Sequence, residues 1–93
     1  MKVVHCRDSP YDIYIGRGSI WGNPFVIDKD GSRDEVIQKY HNWLLSSTEA
    51  IKLREQIHTL KGKILGCWCK PKRCHGDILV EIANSASLSE FFE

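Results

Sequence analysis

Between Leu65 and Asp77 the chain packs three of its four cysteines, a histidine, the cations Lys70, Lys72 and Arg73, and the Asp77 carboxylate into thirteen residues. This stretch constrains the fold because its two halves obey different periodicities. Lys63-Ile64-Leu65-Gly66-Cys67-Trp68-Cys69 is a short, largely apolar run of the kind that forms a buried strand, and it is expected to be the most central one. Lys70-Pro71-Lys72-Arg73 has turn chemistry. Beyond it Ile78, Leu79, Ile82 and Ala83 recur at helical spacing up to about Asn84, with Asp77 in the first turn, where a carboxylate suits the positive end of the helix dipole.

The upstream chain supplies what such a unit needs as neighbours. Lys2-Val3-Val4-His5-Cys6 reads as a first strand, and Tyr11-Asp12-Ile13-Tyr14-Ile15-Gly16 as a second, with Tyr11, Ile13 and Ile15 on one face. Ser32-Arg33-Asp34-Glu35 fits a capping box, and Val36, Ile37, Tyr40, Trp43 and Leu44 continue it as an amphipathic helix. A further helix is expected from about Glu49 to Leu60, with Ala50, Leu53, Ile57 and Leu60 inward and Gly62 as its C-terminal cap. His41 and His58 read as solvated surface residues.

Strand, strand, two helices, strand, helix describes a small three-layer, Rossmann-like α/β domain. It should have a short, mainly parallel sheet and about three helices, because connections through helices suit parallel pairing with right-handed crossover. The single domain is expected over residues 1–84, with 85–93 as a tail that either docks or stays flexible. A chain of 93 residues buries only about 60 to 65% of its unfolded surface, so the core should be thin.

Gly16-Arg17-Gly18-Ser19 and Trp21-Gly22-Asn23-Pro24-Phe25 form a loop rich in glycine and proline directly after the second strand. Such a loop offers backbone N–H groups to a phosphate or carboxylate, with Arg17 as counter-charge; the plainer alternative is a surface turn whose Trp21 and Phe25 plug the core. Gly16, Arg17, Gly18, Trp21 and Asn23 are therefore the candidate ligand-binding residues. Arg33 joins them because a cation in the first turn of a helix opposes the dipole preference. In open α/β sheets ligands gather at the C-terminal ends of strands, so this loop and the cysteine-rich junction are expected to converge at one sheet edge.

Three chemistries fit the junction. Cys67, Cys69 and Cys74, with His75 or Cys6 as a fourth donor, would make a zinc site, although Cys-x-Cys with Cys-His is not the usual Cys-x-x-Cys spacing. Alternatively Cys74, ahead of a helix N-terminus and behind Lys72 and Arg73, would be a low-pKa nucleophile, with His75 as base and Asp77 as its orienter or a second acid/base group. In the third reading Cys67 and Cys69 are small buried residues, and His75, Gly76 and Asp77 bind a ligand at the helix end.

The motifs Tyr14-Ile15-Gly16-Arg17-Gly18-Ser19, Trp21-Gly22-Asn23-Pro24-Phe25, Arg33-Asp34-Glu35-Val36-Ile37 with Tyr40, Leu65-Gly66-Cys67-Trp68-Cys69-Lys70-Pro71 and Cys74-His75-Gly76-Asp77 together resemble a family of small phage and bacterial proteins catalogued as a domain of unknown function. The resemblance spans roughly residues 3 to 84. It implies a phage or prophage origin and a compact Rossmann-like fold of the sort seen in nucleotide-handling proteins, and it leaves Cys6 outside the motifs.

A net charge of +1 argues against a non-specific coat on duplex DNA. The local run of Lys61, Lys63, Lys70, Lys72 and Arg73, with no carboxylate between Lys61 and Arg73, would still hold a small anion. No apolar run reaches the roughly 18 to 20 residues of a membrane span and no signal-peptide core is present, so the expected location is the cytoplasm, the host's if the protein is phage-encoded, with thiols or metal ligands rather than disulfides. The expected function is binding or processing of a nucleotide, nucleobase or nucleic-acid end at a site that contains zinc or a reactive cysteine. The alternative is a phage-encoded interaction module that inhibits or redirects a host protein and uses zinc as a structural staple.

Overall fold

A computed structural model describes residues 2–84; the expectations for the tail at 85–93 lie outside the described residues. Strand β1 (Lys2–His5) and strand β2 (Ile13–Tyr14) precede helix α1 (Arg33–Ser46) and helix α2 (Ile51–Gln56), and strand β3 (Ile64–Cys67) runs into helix α3 (His75–Ala83). The sheet order is β1-β3-β2 and both pairings are parallel, so the cysteine-bearing strand is central, as its apolar run predicts. Val3 and Ile13 lie opposite Leu65, and His5 lies opposite Cys67. The fold is therefore the small α/β domain with a short parallel sheet that the order of elements implies.

One core joins all three helices to one face of the sheet. It contains Ile15, Leu65 and Cys67 from the sheet side, Ile37, Tyr40 and Leu44 from α1, Leu53 from α2, and Ile78, Leu79 and Ile82 from α3. Gly76 lets α3 lie close to the sheet, since a Cβ there would come within 2.6 Å of Ile15 Cδ1. On the other face Gly66 lies between Val4 and Tyr14, and the Tyr11 ring crosses it. Among the described residues the helices share one core with the sheet, which suits a domain of this size.

Second-strand pairing is shorter than Tyr11–Gly16. Asp12 N donates to Ile64 O at 2.8 Å and Ile15 N to Gly66 O at 2.9 Å, which brackets β2. Tyr11 leaves the face it was expected to share with Ile13 and Ile15, because the missing side chain of Gly66 leaves room for its ring on the opposite side.

The capping box of α1 forms as expected: Ser32 Oγ accepts from Glu35 N at 3.3 Å, and Ser32 N donates to Glu35 Oε1 at 3.0 Å. The second helix is less regular than its pattern. Residues Thr48–Ala50 and Ile57–Leu60 are 3₁₀ turns on either side of α2, yet Ala50, Leu53, Ile57 and Leu60 are all buried as the spacing requires. Tight turns of this kind are common at helix ends. Gly62 follows with φ of 80°, a conformation suited to glycine after a helical segment. His58 is exposed, whereas His41 is half-buried with Nδ1 enclosed and unpartnered among the described residues.

Candidate functional site

Parallel strands carry their C-terminal ends to one edge, and there β2 hands over to the Gly16-Arg17 loop while β3 hands over to the cysteine turn. Helices α1 and α3 bring their N-termini to the same edge. A cavity of about 330 Å³ opens between them, lined by Gly16, Arg17 and Asn23 from the loop and by Cys67, Cys69, Cys74 and His75 from the junction. Arg33, Val36 and Ile37 of α1 form another wall. The convergence of the two separated motifs at one pocket is thus present.

Local rules explain the thiol arrangement. Cys67 ends the strand, the turn carries a cis Lys70–Pro71 peptide, and Cys74 is the N-cap of α3. The Sγ atoms of Cys67, Cys69 and Cys74 all lie within 4.8 Å of one another; Cys67 and Cys74 are buried and Cys69 is half-buried. Cys69 lies beyond the end of β3, so the turn brings its sulfur to the group rather than strand alternation. Cys74 Sγ is 2.9 Å from Cys67 Sγ. The S–H of Cys74 and the N–H groups of Cys69 and Lys70 face Cys67, and they pull its pKa from the ordinary thiol range down to about 6. Cys74, as the donor of that pair and buried, is pushed up. Within this pair Cys67 is the lowered thiol and Cys74 its donor.

His75 is buried and its Nε2 lies 2.7 Å from the carbonyl oxygen of Ile15. A carbonyl only accepts, so Nε2 carries the proton and Nδ1 presents a lone pair, 3.5 Å from Cys74 Sγ. Burial lowers the pKa of His75, which keeps the ring neutral. The Tyr40 ring meets it edge-on with centroids 5.1 Å apart. Asp77 does not orient His75 as the sequence reading has it. Its Oδ2 accepts from Cys74 N at 3.0 Å and its Oδ1 from Lys70 Nζ at 2.7 Å, so the carboxylate caps α3 and ties down the turn.

The remaining expected ligand residues divide. Trp21 is only 5% exposed, and its carbonyl accepts from Tyr40 Oη at 2.8 Å; it is core and does not line the cavity, which corrects its listing as a ligand-binding residue in favour of the plainer core-plug alternative. Gly18 supplies a turn with φ of 90° and is also outside the cavity lining. Asn23 lines the cavity, but its amide is engaged with backbone, Nδ2 donating to Val36 O and Oδ1 accepting from Phe25 N. Arg33 donates to Arg73 O at 3.1 Å, which joins the start of α1 to the cysteine turn. Arg17 has no salt-bridge partner among the described residues.

Sequence reasoning passed over Trp68 and Tyr14 as pocket residues, and it named Arg73 only within an anion-holding basic run and Phe25 only within the loop or as a core plug. Trp68 is 54% exposed, and its Nε1 donates to Tyr14 Oη at 2.9 Å. Trp68 follows the last residue of β3, so its place on the rim comes from the path of the turn, which no strand periodicity signals.

Three close sulfurs can hold a metal ion. Thiolates suit zinc at about 2.3 Å each, which puts pairs of sulfurs about 3.8 Å apart in a tetrahedron. The three cysteines fit such an ion once the 2.9 Å Cys67–Cys74 pair opens by about 1 Å. Among the described residues no helix is long and apolar enough to cross a membrane.

Comparison with known proteins agrees with the motif resemblance at the level of family. The family model described as "Domain of unknown function (DUF4326)" matches residues 2–85. The chain is 36% identical over 92 residues to the "Uncharacterized 12.4 kDa protein in nrdA-td intergenic region" of Enterobacteria phage T4, covering 97% of this chain and 83% of that protein. It is also 36% identical over 89 residues to "Uncharacterized protein R718" of Acanthamoeba polyphaga mimivirus, covering 76% of this chain and 65% of that protein. No solved structure matches.

Proposed function

The chain belongs to the family of domains of unknown function DUF4326, so its chemistry has to come from the pocket, and we propose that it binds or processes a nucleotide or nucleic-acid end there, with the cysteines as metal site or reactive centre. The observation that carries this reading is the composition of the cavity lining. Arg17, Arg33 and Arg73 line it together with the rings of Tyr14, Phe25 and Trp68, and no carboxylate does among the described residues. Guanidinium groups recognise phosphate oxygens through paired donors, and aromatic faces take bases. A volume of about 330 Å³ lies at the small end of ligand pockets, which run from about 300 to 1,000 Å³, and suits one nucleotide rather than two.

Thermal denaturation against a panel of nucleoside mono-, di- and triphosphates tests the proposal. At least one should raise the melting temperature, and Arg17→Ala should abolish the rise without lowering the melting temperature of the free protein. A flat response across the panel would count against it. A second reading, a module that engages a host protein, draws on the exposed Trp68 and Tyr11. Arg17→Ala separates the two, since that module would keep its binding.

A further inference from the structure

We infer that the sulfur cluster is an open metal centre, a three-thiolate site whose fourth coordination position faces the cavity and takes an oxyanion of the ligand directly. The inference rests on the pocket reading above and goes further in saying what the ligand touches. Its basis is that every side chain available as a fourth donor is engaged elsewhere or out of range.

His75 is the nearest candidate, 3.5 Å from Cys74 Sγ through Nδ1. Its ring is held by Ile15 O at 2.7 Å and by the Tyr40 edge, and its nitrogens are not among the ligand atoms lying within 4.8 Å of one another. A nitrogen ligand must come to about 2.0–2.1 Å from the ion, and because Nδ1 does not lie within 4.8 Å of all three sulfurs the ring would have to shift from Ile15 O to share their ion. Asp77 has both oxygens occupied, by Lys70 Nζ and by Cys74 N. Cys6 lies outside the thiol cluster, with its backbone N–H bound to Cys67 O at 2.8 Å.

All three cysteines line the cavity beside Arg17, Arg33 and Arg73. The cavity the sulfurs line thus also holds three guanidinium groups, of which Arg73 pairs with Asp34 at 2.9 Å, among aromatic and aliphatic side chains. Structural zinc sites are closed by four protein ligands, whereas sites that handle substrate keep one position for an exchangeable group. Guanidinium groups around such a position favour an anionic oxygen, from a phosphate or a carboxylate.

Cobalt spectroscopy on the full, reduced protein tests this. Co²⁺ should bind with thiolate charge-transfer and tetrahedral d–d bands, and Cys69→Ser, at the half-buried sulfur, should weaken them. Azide should shift the d–d bands of the wild type and of His75→Gln alike. Arg17→Ala should raise the azide concentration for half-effect by about tenfold, as loss of a charged hydrogen bond does, without changing cobalt stoichiometry. A shift with inorganic phosphate but not acetate assigns a phosphate ligand, and the reverse assigns a carboxylate.

Failure to bind Co²⁺ would overturn the inference, as would a wild-type spectrum inert to azide. The wild-type response stands alone if His75→Gln does not fold. An azide shift with no response to either oxyanion would overturn the ligand assignment. Nucleotide melting shifts in the metal-free and the cobalt-loaded protein keep the two readings separate: a nucleotide response beside an azide-inert centre ends this inference and leaves the pocket, and an azide-responsive centre with no nucleotide response in either form ends the nucleotide reading alone.

Discussion

Helices α1 and α3 both begin at the pocket, and both begin with the same four-residue device built from different atoms. At α1 the N-cap is Ser32, whose oxygen accepts from Glu35 N, and Glu35 answers by accepting from Ser32 N. At α3 the N-cap is Cys74, whose sulfur accepts from Gly76 N at 3.3 Å, and Asp77 accepts from Cys74 N. Sulfur is a weak acceptor, and serine caps a helix better. Capping explains Ser32 completely and Cys74 only in part. What cysteine adds is a third thiol beside Cys67 and Cys69, so the difference between the two caps separates a fold requirement from a site requirement.

The largest effect should come from making the second cap resemble the first. Cys74→Ser keeps a good N-cap, so the metal-free protein should hold its stability to urea, while cobalt or zinc affinity should fall by more than the roughly 10- to 100-fold that an outer-sphere partner costs. Equal losses of stability and affinity would erase the distinction. Asp77→Ala attacks the cap and leaves the sulfurs. It should cost about 1–2 kcal/mol in urea unfolding, because Cys74 N loses its acceptor and Lys70 its counter-charge.

Acidification should separate the two caps next, since only one adjoins titrating thiol and imidazole groups. The Cys67 thiol is lowered to about 6 in the fold. A depressed pKa gives stability that is complete above the unfolded value, near pH 9, and is lost as pH falls through about 6. His75, also lowered, acts in the same sense at the acid end, because the unfolded chain takes up its proton first. Metal-free protein should therefore become less stable on acidification, and Cys67→Ser should flatten the upper part of that profile in pH-dependent melting. The smallest effect belongs to Ser32→Ala, about 1 kcal/mol in the same urea experiment and none on metal affinity.

Much of this was legible because it is local. The α1 cap, its buried stripe of Val36, Ile37, Tyr40 and Leu44, the inward residues Ala50, Leu53, Ile57 and Leu60, and the positive φ of Gly62 follow from rules that span a turn or two of chain. The irregular ends of the second helix were not, since periodicity marks the buried positions and hardly separates α-helical from 3₁₀ turns over so short a segment. At the site, the three sulfurs, Arg17 and Arg33 line one cavity, whereas Trp21 lies outside its lining and Trp68, to which the sequence reading gave no role, lies within it. Both are tryptophans in glycine- or cysteine-rich segments. Only the path of the chain sends one inward under Tyr40 and leaves the other on the rim.

By itself the sequence determined the order of strands and helices, the centrality of the cysteine strand and the meeting of two motifs at the strand tips. Each depends on hydrophobic period and on the sidedness of parallel connections. The tertiary structure alone decided how closely the sulfurs meet, which carbonyl holds His75 and which arginines line one cavity. Those outcomes rest on contacts such as His75 to Ile15 and Arg33 to Arg73, between residues far apart in the chain, whose geometry no local rule of spacing can set.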